Sequence, residues 1–322
     1  MTRISGVSGG NIVKFALCFL ILSIVTYVFT QSYLKGPSVQ EKSFQLVSTR
    51  DYQSNVPEID LSQIRANDSV DMVGELKSKY GAITYKGIHQ RSTTLTPEEQ
   101  KLYEICVKNA QHDREHNGSA FWPKEQIRRT HHTYLKKKDS VMFEIGGNKG
   151  NDASEFVRLY NPRYLILEPL EEYANILKNK FKDNPKVTVI NLGLGVKNEI
   201  AMVNIEGNNA CATSKFSGKN GNTPLFVTNT TEFLLKAGVG MFDVDLMSMN
   251  CEGCEFEALE TLLSTNIVEH FKNIQFATHS TIPGLKDPFP RYCKIQSLLA
   301  RTHRPTYQYK LIWESWRRKD VE

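Results

Sequence analysis

Residues Val141–Gly150 read V-M-F-E-I-G-G-N-K-G. The apolar run Val141-Met142-Phe143 predicts a buried strand that ends in an acid, Glu144. Gly146, Gly147 and Gly150 then make a tight turn. A helix is expected at once, with Asn151 or Asp152 as cap and capping-box spacing between Asp152 and Glu155. A second apolar run, Tyr164–Leu167, ends in another acid, Glu168. Strand, glycine turn, helix, strand and acid is the layout of a nucleoside-binding βαβ unit. Glycines let a ligand approach the backbone, and an acid after the second strand can hold both ribose hydroxyls.

The turn also selects among nucleosides. A dinucleotide site wants G-x-G-x-x-G, so that a pyrophosphate rests on the helix N-terminus. Here an acid precedes the glycines, in E-x-G-G-x-x-G. That acid disfavours a pyrophosphate and favours a cation. S-adenosylmethionine carries an ammonium, a sulfonium and a ribose diol, and no phosphate, so it is the expected cofactor.

From Ser140 onward, strand and helix patterns alternate, which predicts an α/β domain with a mostly parallel sheet covered on both faces. Expected strands are Val141–Ile145, Tyr164–Leu167, Val187–Asn191, Ile200–Ile205, Val244–Met249, Ile274–His279 and Tyr307–Trp313. Expected helices are Asp152–Leu159, Leu170–Lys182, Glu255–Ser264 and Arg291–Thr302. Thr96-Pro97-Glu98-Glu99 starts another, ending near Ala110. Gly207-Asn208-Asn209 opens a polar loop reaching about Thr223.

A second half of the site follows in Phe242–Leu259, F-D-V-D-L-M-S-M-N-C-E-G-C-E-F-E-A-L. Asn250 and Glu252 stand at the carboxyl end of a strand, the edge where open α/β sheets bind ligands. His279 ends the next strand on the same edge and is the first candidate for a general base.

These segments resemble the FkbM-type branch of S-adenosylmethionine-dependent methyltransferases. E-I-G-G-N-K-G matches that family's acid–Gly–Asn–Gly motif, Glu168 its second-strand acid, and N-C-E-G-C-E its D-x-E-G-x-E motif. The resemblance spans roughly Ser140–His279. It implies a Rossmann-like methyltransferase fold and, commonly, O-methylation. By that reading Glu144, Gly146, Gly147, Asn148 and Gly150 face the methionine part of the donor, and Glu168 the ribose. Asn191 and Gly193 lie near the adenine, and Asn250, Glu252 and His279 line the reaction side. Asn250 departs from the family, which usually has aspartate there, and the departure weakens any carboxylate or metal role at that position. No metal is expected.

The chain has 322 residues, 40% of them hydrophobic and 23% charged, and a net charge of +5. Residues 124–138 hold Arg128, Arg129, His131, His132 and Lys136–Lys138. Without interleaved aromatics or a nucleic-acid motif, this is read as a solvated face, with an anionic substrate left open and no nucleic-acid partner expected.

Ile12–Phe29 is apolar apart from Lys14 and a few hydroxyls. As a helix it would span about 27 Å at 1.5 Å per residue, enough for a thin bilayer. Arg3 and Lys14 precede or begin it with no acid before the span, which predicts a cytoplasmic N-terminus. The expected organisation is a tail over residues 1–11, an uncleaved anchor over 12–30, a stem over 31–95 and the methyltransferase-like domain over 96–322. A cleaved signal peptide is the rival. A single-pass type II protein facing the lumen of the endoplasmic reticulum or Golgi follows, with a glycan or small-molecule hydroxyl as acceptor; no pattern specifies an oligomeric state. Sequons at Asn67, Asn117 and Asn229 suit that compartment, as do the five cysteines beyond Cys18 of the span, among which some disulfide pairing and at least one free thiol are expected.

Cys251 and Cys254 form a C-x-x-C without thioredoxin-like surroundings or a second ligand pair for zinc, so a structural disulfide or buried thiols are expected rather than redox catalysis. Two other functions remain open. Asp243-Val244-Asp245 is a D-x-D of the kind that holds a divalent cation in a lumenal glycosyltransferase. Asn250 is compatible with a noncatalytic protein on a methyltransferase scaffold.

Overall fold

The computed structural model of the chain describes residues 88–207, 213–217 and 221–322. The expected tail, anchor and most of the stem lie outside the described residues, as do Asn67 and Cys211. Among the described residues no helix is long and apolar enough to cross a membrane. The last part of the expected stem is tied to the domain. Ile88 and Leu95 pack against its core, and the Arg91 amide donates to the Ser264 carbonyl at 2.8 Å.

The central sheet has seven strands in the order β3-β2-β1-β7-β8-β10-β9. They are β1 (Val141–Ile145), β2 (Arg163–Leu167), β3 (Val187–Ile190), β7 (Leu246–Met249), β8 (Asn273–Ala277), β9 (His303–Tyr309) and β10 (Trp313–Arg318). All pairings are parallel except those of β10, which lies antiparallel between β8 and β9. A smaller sheet, β4-β6-β5, is built from β4 (Gly193–Gly195), β5 (Glu199–Val203) and β6 (Thr223–Asn229). The fold is therefore the mixed α/β architecture with a mostly parallel sheet that the sequence predicts.

Alternation along β1 divides the core. Val141, Phe143 and Ile145 pack on one face, with α5 (Thr230–Lys236), α6 (Cys254–Leu263) and α7 (Pro288–Leu299). Met142 points to the other, towards α3 (Asn151–Leu159) and α4 (Glu171–Phe181), where it joins Phe156, Tyr164, Ile166 and Leu177. Each such fully buried apolar side chain contributes about 1.5–3 kcal/mol relative to exposure. Glu144 falls on the α3–α4 face by the same two-residue period.

Several expected elements change. The helix from Pro97, α1, continues to Phe121 rather than Ala110. Thr96 and Glu99 form a capping box at its start, and Cys106 is bonded to Cys293 of α7. The expected strand Tyr307–Trp313 is two strands, because the chain reverses at Leu311, which has φ +64°. The expected loop ends in β6 and α5, unforeseen elements. Ile200–Ile205 is β5 of the smaller sheet, not a strand of the main one. Asp152 does not cap α3. The N-cap is Gly150, in the left-handed region, and the Asp152 carboxylate is taken by two arginines.

Candidate functional site

Strand order reverses between β1 and β7: β1 leads outward to β2 and β3, and β7 outward to β8. Ligands bind open α/β sheets at such a switch point. Here the two strand ends touch. The Asn250 amide donates to the Ile145 carbonyl at 2.9 Å. A Cβ on Gly146 would sit 2.2 Å from the Asn250 carbonyl oxygen, so only glycine fits, and its φ of +92° requires the same. A Cβ on Gly150, at φ +76°, would meet Leu177 of α4 at 2.6 Å. The glycines thus serve strand and helix packing as well as ligand access.

A cavity of about 320 Å³ opens at this edge. Glu144, Gly146, Gly147, Asn148, Glu168, Asn250 and Glu252 all line it, so seven residues singled out from sequence meet in one place. A smaller adjoining cavity of about 50 Å³ shares Gly146, Pro169, Cys251 and Glu252 with it and reaches Gly193. Three others fall elsewhere. Gly150 does not line either cavity. Asn191 donates its amide to the carbonyls of Glu168 and Pro169, at 2.9 Å each, and so fixes the turn after β2 rather than reaching the cavity. His279 lies behind Glu252.

Glu168 is 4% exposed. Its carboxylate accepts from the Asn148 amide at 2.7 Å and the Leu170 amide at 2.8 Å, which joins the glycine turn to the start of α4. Burial raises its pKa to about 7, against the lowering effect of those two amides. Glu144 is equally buried and accepts from the Tyr164 hydroxyl at 2.6 Å. Burial, with the negative charge of Asp152, raises its pKa to about 8, opposed by Tyr164 and Arg128. Without a ligand, Glu144 favours the neutral acid near neutral pH and Glu168 is divided between its two forms. A cation between them would draw both into the charged form.

The structure pairs His279, the expected base, with two acids. Its Nδ1 is 2.8 Å from Glu255 and its Nε2 is 3.5 Å from Glu252. Burial alone would lower the imidazole pKa, but Glu255 and Glu252 outweigh it and hold it at about 9. The ring is a cation at neutral pH, pinned between two acids. Glu252 itself faces the cavity with its pKa raised by burial, while the His279 charge works in the opposite direction.

Among the lining residues that escaped sequence reasoning are two arginines. Arg128 and Arg129, on the short helix α2 (Ile127–Thr130), belong to the basic stretch read as a solvated face. Both bind Asp152, Arg129 at 2.7 Å, and the Arg128 guanidinium stacks 4.9 Å over the Trp313 ring. Lys136–Lys138 of the same stretch are exposed, as expected. The i, i+1 arginines gave no spacing signal, since their partner Asp152 lies more than twenty residues away in the chain.

The D-x-D reading fails on geometry. Asp243 and Asp245 lie at the amino end of β7, opposite the cavity. Asp245 accepts from the Val141 amide at 2.9 Å and pairs with Lys272 at 2.8 Å. Asp243 pairs with Arg318 at 2.8 Å. Both carboxylates are already neutralised by the protein. Of the sequons, Asn117 lies within α1, and Asn229 uses its amide to cap α5 and to bind the Val196 carbonyl at 2.7 Å. Cys251 and Cys254 form a disulfide, the first of the two expected alternatives.

The chain matches no protein-family model and no curated protein. Among solved structures it is similar to the methyltransferase FkbM from Methylobacillus flagellatus KT, at 14% identity and a TM-score of 0.36, covering 56% of this chain and 43% of that one. It is also similar to an O-methyltransferase from Bacillus cereus in complex with S-adenosylhomocysteine, at 12% identity and 0.34, covering 69% and 95%. A third is the precorrin-6y C5,15-methyltransferase from Geobacter metallireducens GS-15, at 15% and 0.31, covering 61% and 89%. All three are methyltransferases. The chain spans less than half the length of the FkbM methyltransferase. The geometry of the cavity, not these likenesses, carries the ligand assignment.

Proposed function

We propose that this chain is an S-adenosylmethionine-dependent methyltransferase acting on a hydroxyl acceptor. One observation carries the reading: two buried acids, Glu144 and Glu168, flank a glycine turn at the switch point and line one cavity. A phosphate there would meet buried carboxyls, whereas an ammonium and a ribose diol would satisfy them. Glu144 binds the donor's ammonium, and Glu168 accepts from the ribose hydroxyls. Arg128 and Arg129 face the donor's carboxylate. The adjoining cavity near Gly193 takes the adenine.

When bound, the donor supplies an electrophilic methyl group on a sulfonium. The residues of the chain position the acceptor and move one proton. Glu252, held beside the His279 cation, would take the proton from the acceptor hydroxyl. Asn250 holds the acceptor by its amide. In-line displacement gains most from such positioning.

The same proposal places the domain in the lumen of the secretory pathway behind an N-terminal anchor, with a glycan hydroxyl as the favoured acceptor. The disulfides Cys106–Cys293 and Cys251–Cys254 support an oxidising compartment. Protease protection in intact microsomes tests this placement.

Calorimetry of the purified full-length chain with S-adenosylhomocysteine tests the activity. Binding is expected, and Glu168→Ala should abolish it. No binding, or tighter binding of a phosphate-bearing nucleotide, sinks the reading. Donor binding without methyl transfer to a broad panel of glycan and small-molecule hydroxyls would favour the noncatalytic alternative that Asn250 leaves open.

A further inference from the structure

The Cys251–Cys254 disulfide lies in the turn between β7 and α6, at the wall of the site. Cys251 lines both cavities and Cys254 the smaller one. Both are only half-buried. The bridge closes a four-residue ring, C-E-G-C, at the end of β7. Inside it Glu252 has φ +52° and Gly253 has φ +97°. A left-handed conformation is costly for a glutamate, on the order of 1 kcal/mol or more, and persists only where the surroundings enforce it. Here the ring does so, helped by the Ser214 hydroxyl, which donates to the Glu252 carbonyl at 2.6 Å. The ring also rests on the glycine turn. A Cβ on Gly146 would lie 3.1 Å from the Cys251 Cα. A shift of the ring therefore reaches both halves of the site. Cys106–Cys293 differs, joining α1 to α7 with no residue on either cavity.

We propose that Cys251–Cys254 is a thiol-exchange site that sets whether the cavity can bind its ligand. The co-reactant is an external dithiol. Its thiolate attacks the Cys251 sulfur and forms a mixed disulfide, and the Cys254 sulfur leaves with the bonding pair and takes up a proton. The second thiol of the reductant then displaces Cys251, which is protonated in turn. Two electrons pass from the dithiol to the protein, and the reductant ends as a disulfide. Cys254 is the first residue of α6, where the positive end of the helix dipole favours the departing negative charge. The resulting Cys251 thiol has an acceptor in place, Glu255 Oε2 at 3.5 Å. With the ring open, Glu252 is released from its left-handed conformation and the wall shared by the two cavities loosens. This proposal rests on the methyl-donor reading for its ligand but not for its structural consequence.

The test uses the full-length chain, oxidised and after treatment with dithiothreitol, with alkylation and mass spectrometry reporting which cysteines are free. S-adenosylhomocysteine affinity is measured in both states, together with hydrogen exchange of residues 146–150 and 250–255. Opening the ring should weaken binding about ten- to hundredfold, the effect of having to re-order two residues on binding. It should also raise exchange in both segments, and reoxidation should reverse both changes. Cys251→Ala with Cys254→Ala, which leaves Cys106–Cys293 intact, should match the reduced state and ignore dithiothreitol. If the pair is shown to be reduced while affinity stays within twofold and exchange is unchanged, the proposal is overturned. If the oxidised chain binds no S-adenosylhomocysteine, the methyl-donor reading fails, and hydrogen exchange alone still decides the proposal.

Discussion

Ligand binding should release protons, and the number follows from the two buried acids. Free Glu144 titrates near 8 and Glu168 near 7. At pH 6 both are almost fully protonated. A ligand that presents an ammonium to one and a diol to the other binds their ionised forms, so about two protons should leave on binding at pH 6 and fewer than one at pH 8. Affinity should rise by roughly two to three orders of magnitude between those pH values. Because the two carboxyls feel each other, the steps belong to the pair. The unliganded fold should behave in the opposite sense. Both acids are raised above their unfolded value, so the folded state binds more protons between about pH 4.5 and 8. Their contribution to stability is present below that window and is lost as pH rises through 7 and 8. The assay is calorimetry of S-adenosylhomocysteine binding in buffers of different ionisation enthalpy, with melting curves of the free chain at the same pH values. Tyr164→Phe removes a hydroxyl that holds the Glu144 pKa down, so the affinity rise should move to higher pH. Flat affinity from pH 6 to 8, with less than half a proton released at pH 6, would refute the assignment of Glu144 and Glu168 to a cationic nucleoside.

Three further outcomes test other parts of the structure. Gly146→Ala sets a methyl 2.2 Å from the Asn250 carbonyl at a φ of +92°, so denaturant unfolding should show a loss of roughly 3 kcal/mol or more, with ligand binding abolished; wild-type stability would deny the close approach. Arg129→Gln should weaken S-adenosylhomocysteine about tenfold and leave 5′-methylthioadenosine, which lacks the amino-acid part, unchanged; equal losses for both would place Arg129 away from the carboxylate. Replacing Cys106 and Cys293 together by serine opens a bridge across a sequence separation of 187 and should cost about 3–5 kcal/mol of stability, with donor affinity preserved.

The central sheet was legible because its strands carry their own signal. β1 and β2 are buried and read as near-continuous apolar runs, and the acids at their ends stand out against them. Seven of the eleven site residues named from sequence meet in one cavity, because chemistry at the carboxyl ends of parallel strands is brought together by the topology alone. What failed depended on contacts between distant segments. β6 begins Thr223-Pro224, a polar start before its apolar Leu225–Val227, and only pairing with β4 and β5 makes it a strand. Asp152 has capping-box spacing to Glu155, but two guanidiniums more than twenty residues upstream compete for its carboxylate and prevail. His279 has the right strand end for a base, yet Glu255, in the first turn of α6, holds it as a cation. That last reversal has a mechanistic consequence. A protonated imidazole beside Glu252 cannot accept the acceptor's proton, but it can lower the basicity of the carboxylate that does, so His279→Gln should shift the pH profile of methyl transfer upward and not merely reduce its height. An unchanged profile would return His279 to a purely structural role.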